Sequence, residues 1–201
     1  MHEESKIEGI LAFLKDVERL KSTLRHSWLS SGRRESVAEH SWRLAVMAIV
    51  LSDEFPDTDI CRVMKMVIIH DFGETYFGDT PSFKKYKGDK HKIEQKSVKK
   101  LIKPLSLKVQ KELLTIWTEF EAGTTKEAKL ALALDKLEVL IQHNEAKLSS
   151  WTKVEYSYNL TCSWKNMEFD PFTKAFRAEI DKQIRKKISK SQFGRKTLIK
   201  L

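Results

Sequence analysis

Apolar residues recur at helical spacing through most of this chain, and the strict alternation that marks half-buried strands is nearly absent. The opening stripe is Ile7, Ile10, Leu11, Leu14, Val17 and Leu20. Later helices are predicted from Ser36, from Thr58, and around 93–102, 109–120, 127–145 and 172–188, with loops at 32–35, 79–88 and 149–168. The sequence therefore predicts an all-α protein.

The length of the chain favours one domain. Its 201 residues, 41% of them hydrophobic, are enough for a single sizeable core. We expect a single-domain helical bundle over residues 1–190 and a basic C-terminal tail over residues 191–201.

The cysteine count and the lack of targeting signals indicate a compartment. Cys61 and Cys162 are too few for a disulfide framework, which favours a reducing environment. The N-terminus has no basic region of a secretory signal, and the longest clean apolar stretch, 44–51, is too short to cross a bilayer. We expect a cytoplasmic protein with no membrane partner, in which both cysteines are buried.

The net charge of +9 is concentrated in two lysine-rich segments. Residues 171–201 carry +8 and residues 84–103 carry +7, which leaves the rest of the chain at −6. Solvated helix faces and a frayed tail explain such segments, and long-range attraction of phosphorylated ligands is the alternative. A nucleic-acid partner is not expected, because no base-reading motif accompanies the lysines.

Two histidines and two aspartates on three predicted helices are residue types that ligate a divalent metal. His40 lies in the first turn of the helix that starts at Ser36, His70 and Asp71 end the apolar run of the next, and Asp135 interrupts a later apolar run. An ionised aspartate on an apolar helix needs a cation or strong donors to offset its desolvation. One metal could meet that need for both aspartates, and Mn, Co, Fe, Zn or Mg suits these donors.

Two further acids follow the His-Asp pair. Glu74 comes four residues after His70 and three after Asp71, so on a continuing helix the three side chains project from one side. A carboxylate beside a metal suits a general base for a water molecule, and an exposed helix-end glutamate is the alternative. Asp79 follows Gly78 and is either a second catalytic acid or a turn aspartate.

The order of these residues resembles that of the HD-domain metal-dependent phosphohydrolases. Four motifs make the chain similar to the 5′-nucleotidase (5′-deoxynucleotidase) branch: Arg25-His26-Ser27-Trp28, Glu35-Ser36-Val37-Ala38-Glu39-His40, His70-Asp71-Phe72-Gly73-Glu74 and Gly78-Asp79-Thr80-Pro81. The resemblance implies an HD fold, the four metal ligands above, catalytic roles for Glu74 and Asp79, and a homodimer. It also implies that Arg25 contacts the phosphate of a substrate and Trp28 contacts its sugar.

The predicted function is therefore hydrolysis of (deoxy)nucleoside 5′-monophosphates by a metal-dependent phosphomonoesterase. One metal is expected, because two-metal relatives need extra histidines between the His-Asp pair and the last aspartate, and only His91 lies there. An HD-type phosphodiesterase or a nucleoside di- or triphosphate hydrolase is the competing enzyme. A basic nucleic-acid-binding protein is the alternative from another class.

Overall fold

The computed structural model describes residues 3–81, 84 and 88–191, which form eight α-helices and one two-stranded hairpin. The strands are β1 (Leu24–Trp28) and β2 (Arg34–Ser36). The helices are α1 (Glu3–Val17), α2 (Val37–Val50), α3 (Ile60–Ile69), α4 (Lys90–Ile102), α5 (Leu107–Ala122), α6 (Lys126–Glu145), α7 (Glu155–Thr161) and α8 (Pro171–Ser189). The prediction of an all-α protein is confirmed.

The chain divides into two compact units. The first comprises Met1–His26 and Glu35–Ala131, and the second comprises Ser27–Arg34 and Leu132–Leu201. A single domain over residues 1–190 stays a prediction, and so does the basic tail, because residues 192–201 lie outside the described part of the chain. Within the described ranges, no helix has both the length and the hydropathy that a bilayer span requires.

Side-chain caps fix where several helices begin. Ser36 Oγ accepts a hydrogen bond from the Glu39 N–H at 3.3 Å, and Glu39 Oε2 accepts one from the Ser36 N–H at 2.8 Å. This capping box places His40 in the first turn of α2, as the sequence predicted. At α8, Asp170 accepts bonds from the first backbone N–H groups, and Pro171 occupies the first helical position.

The core of the first unit is built from α2, α3 and α5, with α3 contacting both of the other helices. Its buried side chains are mostly aliphatic and recur at helical spacing, so that each helix turns one apolar face inward. They include Val37, Leu44, Val63, Met66, Val67 and Trp117. Because His40 lies on α2 and His70 directly follows α3, the packing of these two helices sets the distance between the histidines.

Three local predictions are wrong. The region 149–168 contains α7, which begins where Glu155 Oε2 accepts bonds from the backbone and hydroxyl of Thr152 at 2.6 and 2.8 Å. A helix of seven residues is too short for its apolar period to be recognised in the sequence. The loop predicted at 32–35 is also shorter, because residues 34 and 35 belong to β2. The cysteines were predicted to be buried, but Cys61 is exposed in the first turn of α3 and Cys162 is half-buried.

Candidate metal centre

The helical segment that carries His70 tightens at that residue. The α-helix ends one residue earlier, and His70–Thr75 is a 3₁₀ helix, so the prediction of one α-helix continuing from His70 to Glu74 is wrong. A 3₁₀ helix has three residues per turn, which places side chains three positions apart one above the other. Asp71 and Glu74 therefore project on the same side of the segment.

Two contacts hold this 3₁₀ segment in place. The indole N–H of Trp117 donates to the backbone carbonyl of His70 at 3.0 Å. Elsewhere on the segment, Glu94 of α4 approaches Gly73 so closely that a Cβ at this glycine would lie 2.6 Å from the Cβ of Glu94. Glycine is required in this motif because a neighbouring helix occupies the space of a side chain.

Three of the predicted metal ligands come together. One ligand atom each of His40, His70 and Asp71 lies within 4.8 Å of the other two. The ring centroids of the two histidines are 5.4 Å apart, and His70 Nε2 lies 3.1 Å from Asp71 Oδ2. Both histidines are buried and Asp71 is partly buried, so the cluster is largely shielded from solvent.

The hydrogen bonding of His70 determines which of its ring nitrogens carries the proton. His70 Nδ1 lies 2.8 Å from the carbonyl oxygen of Val67, which can only accept, so Nδ1 carries the proton. In the neutral ring, Nε2 then directs a lone pair at the Asp71 carboxylate. These two electron-rich atoms repel unless a cation binds between them or the ring is protonated. A histidine whose other nitrogen donates to a carbonyl is the usual arrangement in metal sites.

The two carboxyl groups of the 3₁₀ segment have opposite environments. Burial alone would raise the pKa of Asp71, but a protonated His70 ring and the Arg25 guanidinium hold that pKa well below its usual range. Burial, followed by the negative charges of Asp71 and Asp79, raises the pKa of Glu74 to about 10. A nearby cation would favour the ionised form of Glu74 and return its pKa toward the value that a general base needs.

The residues of this cluster fit a divalent metal. Imidazole nitrogens together with a carboxylate are donors that Mn, Fe, Co and Zn accept. Glu74 Oε2 is buried and accepts no hydrogen bond from the residues that the structure describes. A buried carboxyl oxygen in this position costs free energy that a cation next to the cluster would offset.

Arg25 and Asp79 lie beside the cluster. Arg25 is buried on β1, where its Nη1 donates to Asp71 Oδ2 at 3.0 Å and its Nε lies 3.4 Å from Glu35 Oε2. Asp79 Oδ2 accepts a hydrogen bond from the backbone N–H of His26 at 3.2 Å. This bond ties the segment after the 3₁₀ helix to β1, one residue from the arginine.

Asp135 and Trp28 belong to the second unit. Asp135 is buried on α6, and its Oδ2 pairs with Lys136 Nζ at 2.7 Å. Trp28 ends β1, and its backbone carbonyl accepts a hydrogen bond from Gln142 Nε2 at 2.8 Å. Their roles as a metal ligand and a sugar contact stay predictions.

The sequence analysis missed two charged residues near the cluster. Glu35 on β2 is almost completely buried and contacts Arg25. Lys90 begins α4 and pairs with Glu94 at 3.2 Å. Its positive charge offsets a small part of the rise in the pKa of Glu74 that burial and the neighbouring carboxylates cause. Glu35 directly precedes the cap of α2 within a motif already noted, which was a usable signal. Lys90 was hidden in a segment interpreted as a solvated basic face.

Comparisons with known proteins identify the family of the chain. The family model described as "HD domain" matches residues 17–193. The chain is 35% identical over 140 residues to the 5′-deoxynucleotidase HDDC2 of Bos taurus. The alignment covers 68% of this chain and 67% of that protein. It is 34% identical over 140 residues to the protein of that name in Homo sapiens, with 68% of each chain covered.

A solved structure has a similar fold. It is a crystal structure titled "Predicted metal-dependent phosphohydrolase" from Magnetospirillum magnetotacticum MS-1, with a TM-score of 0.79 and 30% sequence identity. The match covers 93% of this chain and 96% of that one. The similarity extends across most of the chain rather than only the His-Asp motif.

Proposed function

Because this chain belongs to the HD domain family, we propose that it is a metal-dependent phosphomonoesterase that hydrolyses (deoxy)nucleoside 5′-monophosphates to nucleoside and inorganic phosphate. The observation that carries this proposal is the buried cluster of His40, His70 and Asp71. The matched relatives of Bos taurus and Homo sapiens are both named 5′-deoxynucleotidases, which supports a monophosphate as the substrate.

We propose that His40, His70, Asp71 and Asp135 hold one divalent ion, with Mn, Co, Fe, Zn and Mg as candidates. Asp135 is included because it is a buried carboxylate on an apolar helix and occupies the expected place in the order of ligands. When bound, the ion would stabilise negative charge on the phosphate and make a water molecule nucleophilic near neutral pH.

Glu74 acts as the general base in this proposal. Its carboxyl group is buried on the same side of the 3₁₀ helix as Asp71, so it lies beside a ligand. In its ionised form it takes a proton from the attacking water. The water oxygen bonds to phosphorus in line with the bond to the nucleoside O5′ atom, and that bond breaks. O5′ takes up a proton from solvent, and Glu74 releases to solvent the proton that it accepted.

Arg25 contributes a permanent positive charge next to Asp71. We propose that its guanidinium also contacts the substrate phosphate and stabilises charge on the transferring group. Asp79 acts near the sugar or the attacking water, which is supported by the effect of its charge on Glu74. Trp28 packs against the sugar.

We propose that the protein is a cytoplasmic homodimer. Support for the dimer comes from large apolar side chains that α1 and α2 leave in solvent, a pattern typical of a surface that another protein covers. They are Ile7, Leu11, Leu14, Trp42, Ile49 and Val50, each at least 53% exposed. Light scattering should show a dimer for the wild type and a monomer for Trp42→Lys, and a monomeric wild type would contradict the proposal.

A substrate panel with added Mn²⁺ or Co²⁺ tests the activity. Phosphate release should occur from nucleoside 5′-monophosphates and should be absent with cyclic nucleotides, diphosphates and triphosphates. His70→Ala should abolish this release, whereas His91→Ala, which removes a half-exposed histidine of α4, should not. Cleavage of cyclic or polyphosphorylated nucleotides with monophosphates ignored would replace the proposed activity with that of another HD hydrolase.

A further inference from the structure

Glu35 is an unusually placed carboxylate. It lies on the short strand β2, and its side chain is only 2% exposed. Burial of a carboxylate costs several kcal/mol unless charged or hydrogen-bonding partners compensate it. The structure supplies Arg25 on the paired strand, with Arg25 Nε 3.4 Å from Glu35 Oε2.

The same guanidinium group also contacts the cluster of His40, His70 and Asp71. Arg25 Nη1 donates to Asp71 Oδ2 at 3.0 Å, so the guanidinium bridges two carboxylates. A carboxylate oxygen of Glu35 also lies within 4.8 Å of a ring nitrogen of His40. Glu35 is thus next to one predicted ligand and is linked to a second through a single side chain.

The charges explain why such a residue is needed. An arginine in a protein stays protonated, so Arg25 places a permanent positive charge against the site where a divalent cation binds. That charge repels the cation in a partly dry environment, where electrostatic interactions are strong. The buried Glu35 carboxylate beside the guanidinium offsets the repulsion and fixes the position of the arginine.

We propose that Glu35 is a positioning residue of the metal centre, which anchors the Arg25 guanidinium against Asp71 and offsets its charge so that the cluster can bind a divalent cation. This inference rests on the proposed function, because it assumes that the cluster binds a metal. Glu35 acts through Arg25 and is not expected to contact the substrate.

Titration of the metal-free protein with Mn²⁺, followed by calorimetry, tests the inference. Glu35→Gln should weaken Mn²⁺ binding by about tenfold or more, the size of effect seen when groups that support metal ligands are removed. Adding Arg25→Met to that variant should recover most of the lost affinity, because the unbalanced positive charge is then gone. Glu54→Gln, which removes an exposed carboxylate after α2, should leave Mn²⁺ affinity unchanged.

Equal Mn²⁺ affinity in the wild type and Glu35→Gln would overturn the inference, even if the variant unfolds at a lower temperature. A double variant that binds no better than Glu35→Gln would also overturn it, since Glu35 would then not act through Arg25. If Glu35→Gln does not fold, the double variant Glu35→Gln/Arg25→Met is measured instead. A Mn²⁺ affinity within about tenfold of the wild type supports the inference, and a larger loss of affinity refutes it. A wild type that binds Mn²⁺ but releases no phosphate from deoxyadenosine 5′-monophosphate would refute only the proposed activity.

Discussion

Replacement of Glu74 by glutamine should separate its catalytic role from its effect on stability. Glutamine has nearly the same shape as a protonated glutamate and cannot take a proton from water. Because a general base contributes about a hundredfold to ten-thousandfold to a rate, Glu74→Gln should lower kcat by that amount with added metal. The pKa of Glu74 in the metal-free protein predicts a second effect, on stability.

Burial and the neighbouring carboxylates raise the pKa of Glu74 from 4.5 to about 10. Between these values the unfolded chain loses a proton that the folded protein keeps. The free energy of unfolding of the metal-free wild type should therefore fall by about 1.4 kcal/mol per pH unit as pH rises through this window. At pH 7 the accumulated loss is about 3 kcal/mol, and Glu74→Gln should not show it.

Urea unfolding of both proteins, monitored by tryptophan fluorescence in the presence of a chelator, measures the difference at several pH values. The two proteins should have similar stability near pH 5, and the glutamine variant should become the more stable one as pH increases. Mn²⁺ should reduce the difference, because a cation favours the ionised glutamate. Parallel pH profiles of the two proteins would refute the argument that burial keeps Glu74 protonated.

Three further predictions concern α4 and the metal. Gly73→Ala should lower the free energy of unfolding by about 1–3 kcal/mol in urea titrations, because the new Cβ would overlap Glu94, and unchanged stability would contradict this close approach. Lys90→Met should raise KM for a nucleoside monophosphate several-fold, because it removes a partly exposed positive charge near Glu74. Lys96→Met, which removes an exposed lysine of the same helix, should leave KM unchanged. Equal KM values for the wild type and Lys90→Met would rule out a role for Lys90 in binding the substrate. Removal of metal by a chelator should abolish phosphate release and lower Tm. Free Mn²⁺ at a hundred times its Kd should then raise the free energy of unfolding by about 2.7 kcal/mol. A Tm that changes neither with chelator nor with Mn²⁺ would argue against a metal bound by the folded state.

The helices, and the places of His40 and His70 on or next to two of them, were predictable because they depend on local patterns. A capping box fixes the start of α2, and apolar spacing identifies the face of α3, so His40 and His70 could be assigned to neighbouring helices. The change to a 3₁₀ helix could not be predicted. Over six residues, periods of 3.0 and 3.6 differ by too little to be distinguished in a sequence.

The environment of the cluster depends on contacts between distant residues, which local patterns do not reveal. Arg25 contacts Asp71, 46 positions away, and the resemblance suggested only a contact with phosphate. Glu35 lies on a strand of three residues, too short to show alternation. The assignments of Asp135 and Trp28 continue to depend on their positions in the family motif.

The 3₁₀ geometry of His70–Thr75 limits how this segment can change during evolution or design. Each residue of such a helix rotates the next side chain by about 120°. One inserted or deleted residue between Asp71 and Glu74 would turn the proposed base a third of a revolution away from Asp71 and move Gly73 out of register with α4. The number of residues in this interval should therefore tolerate less variation than the identity of Phe72.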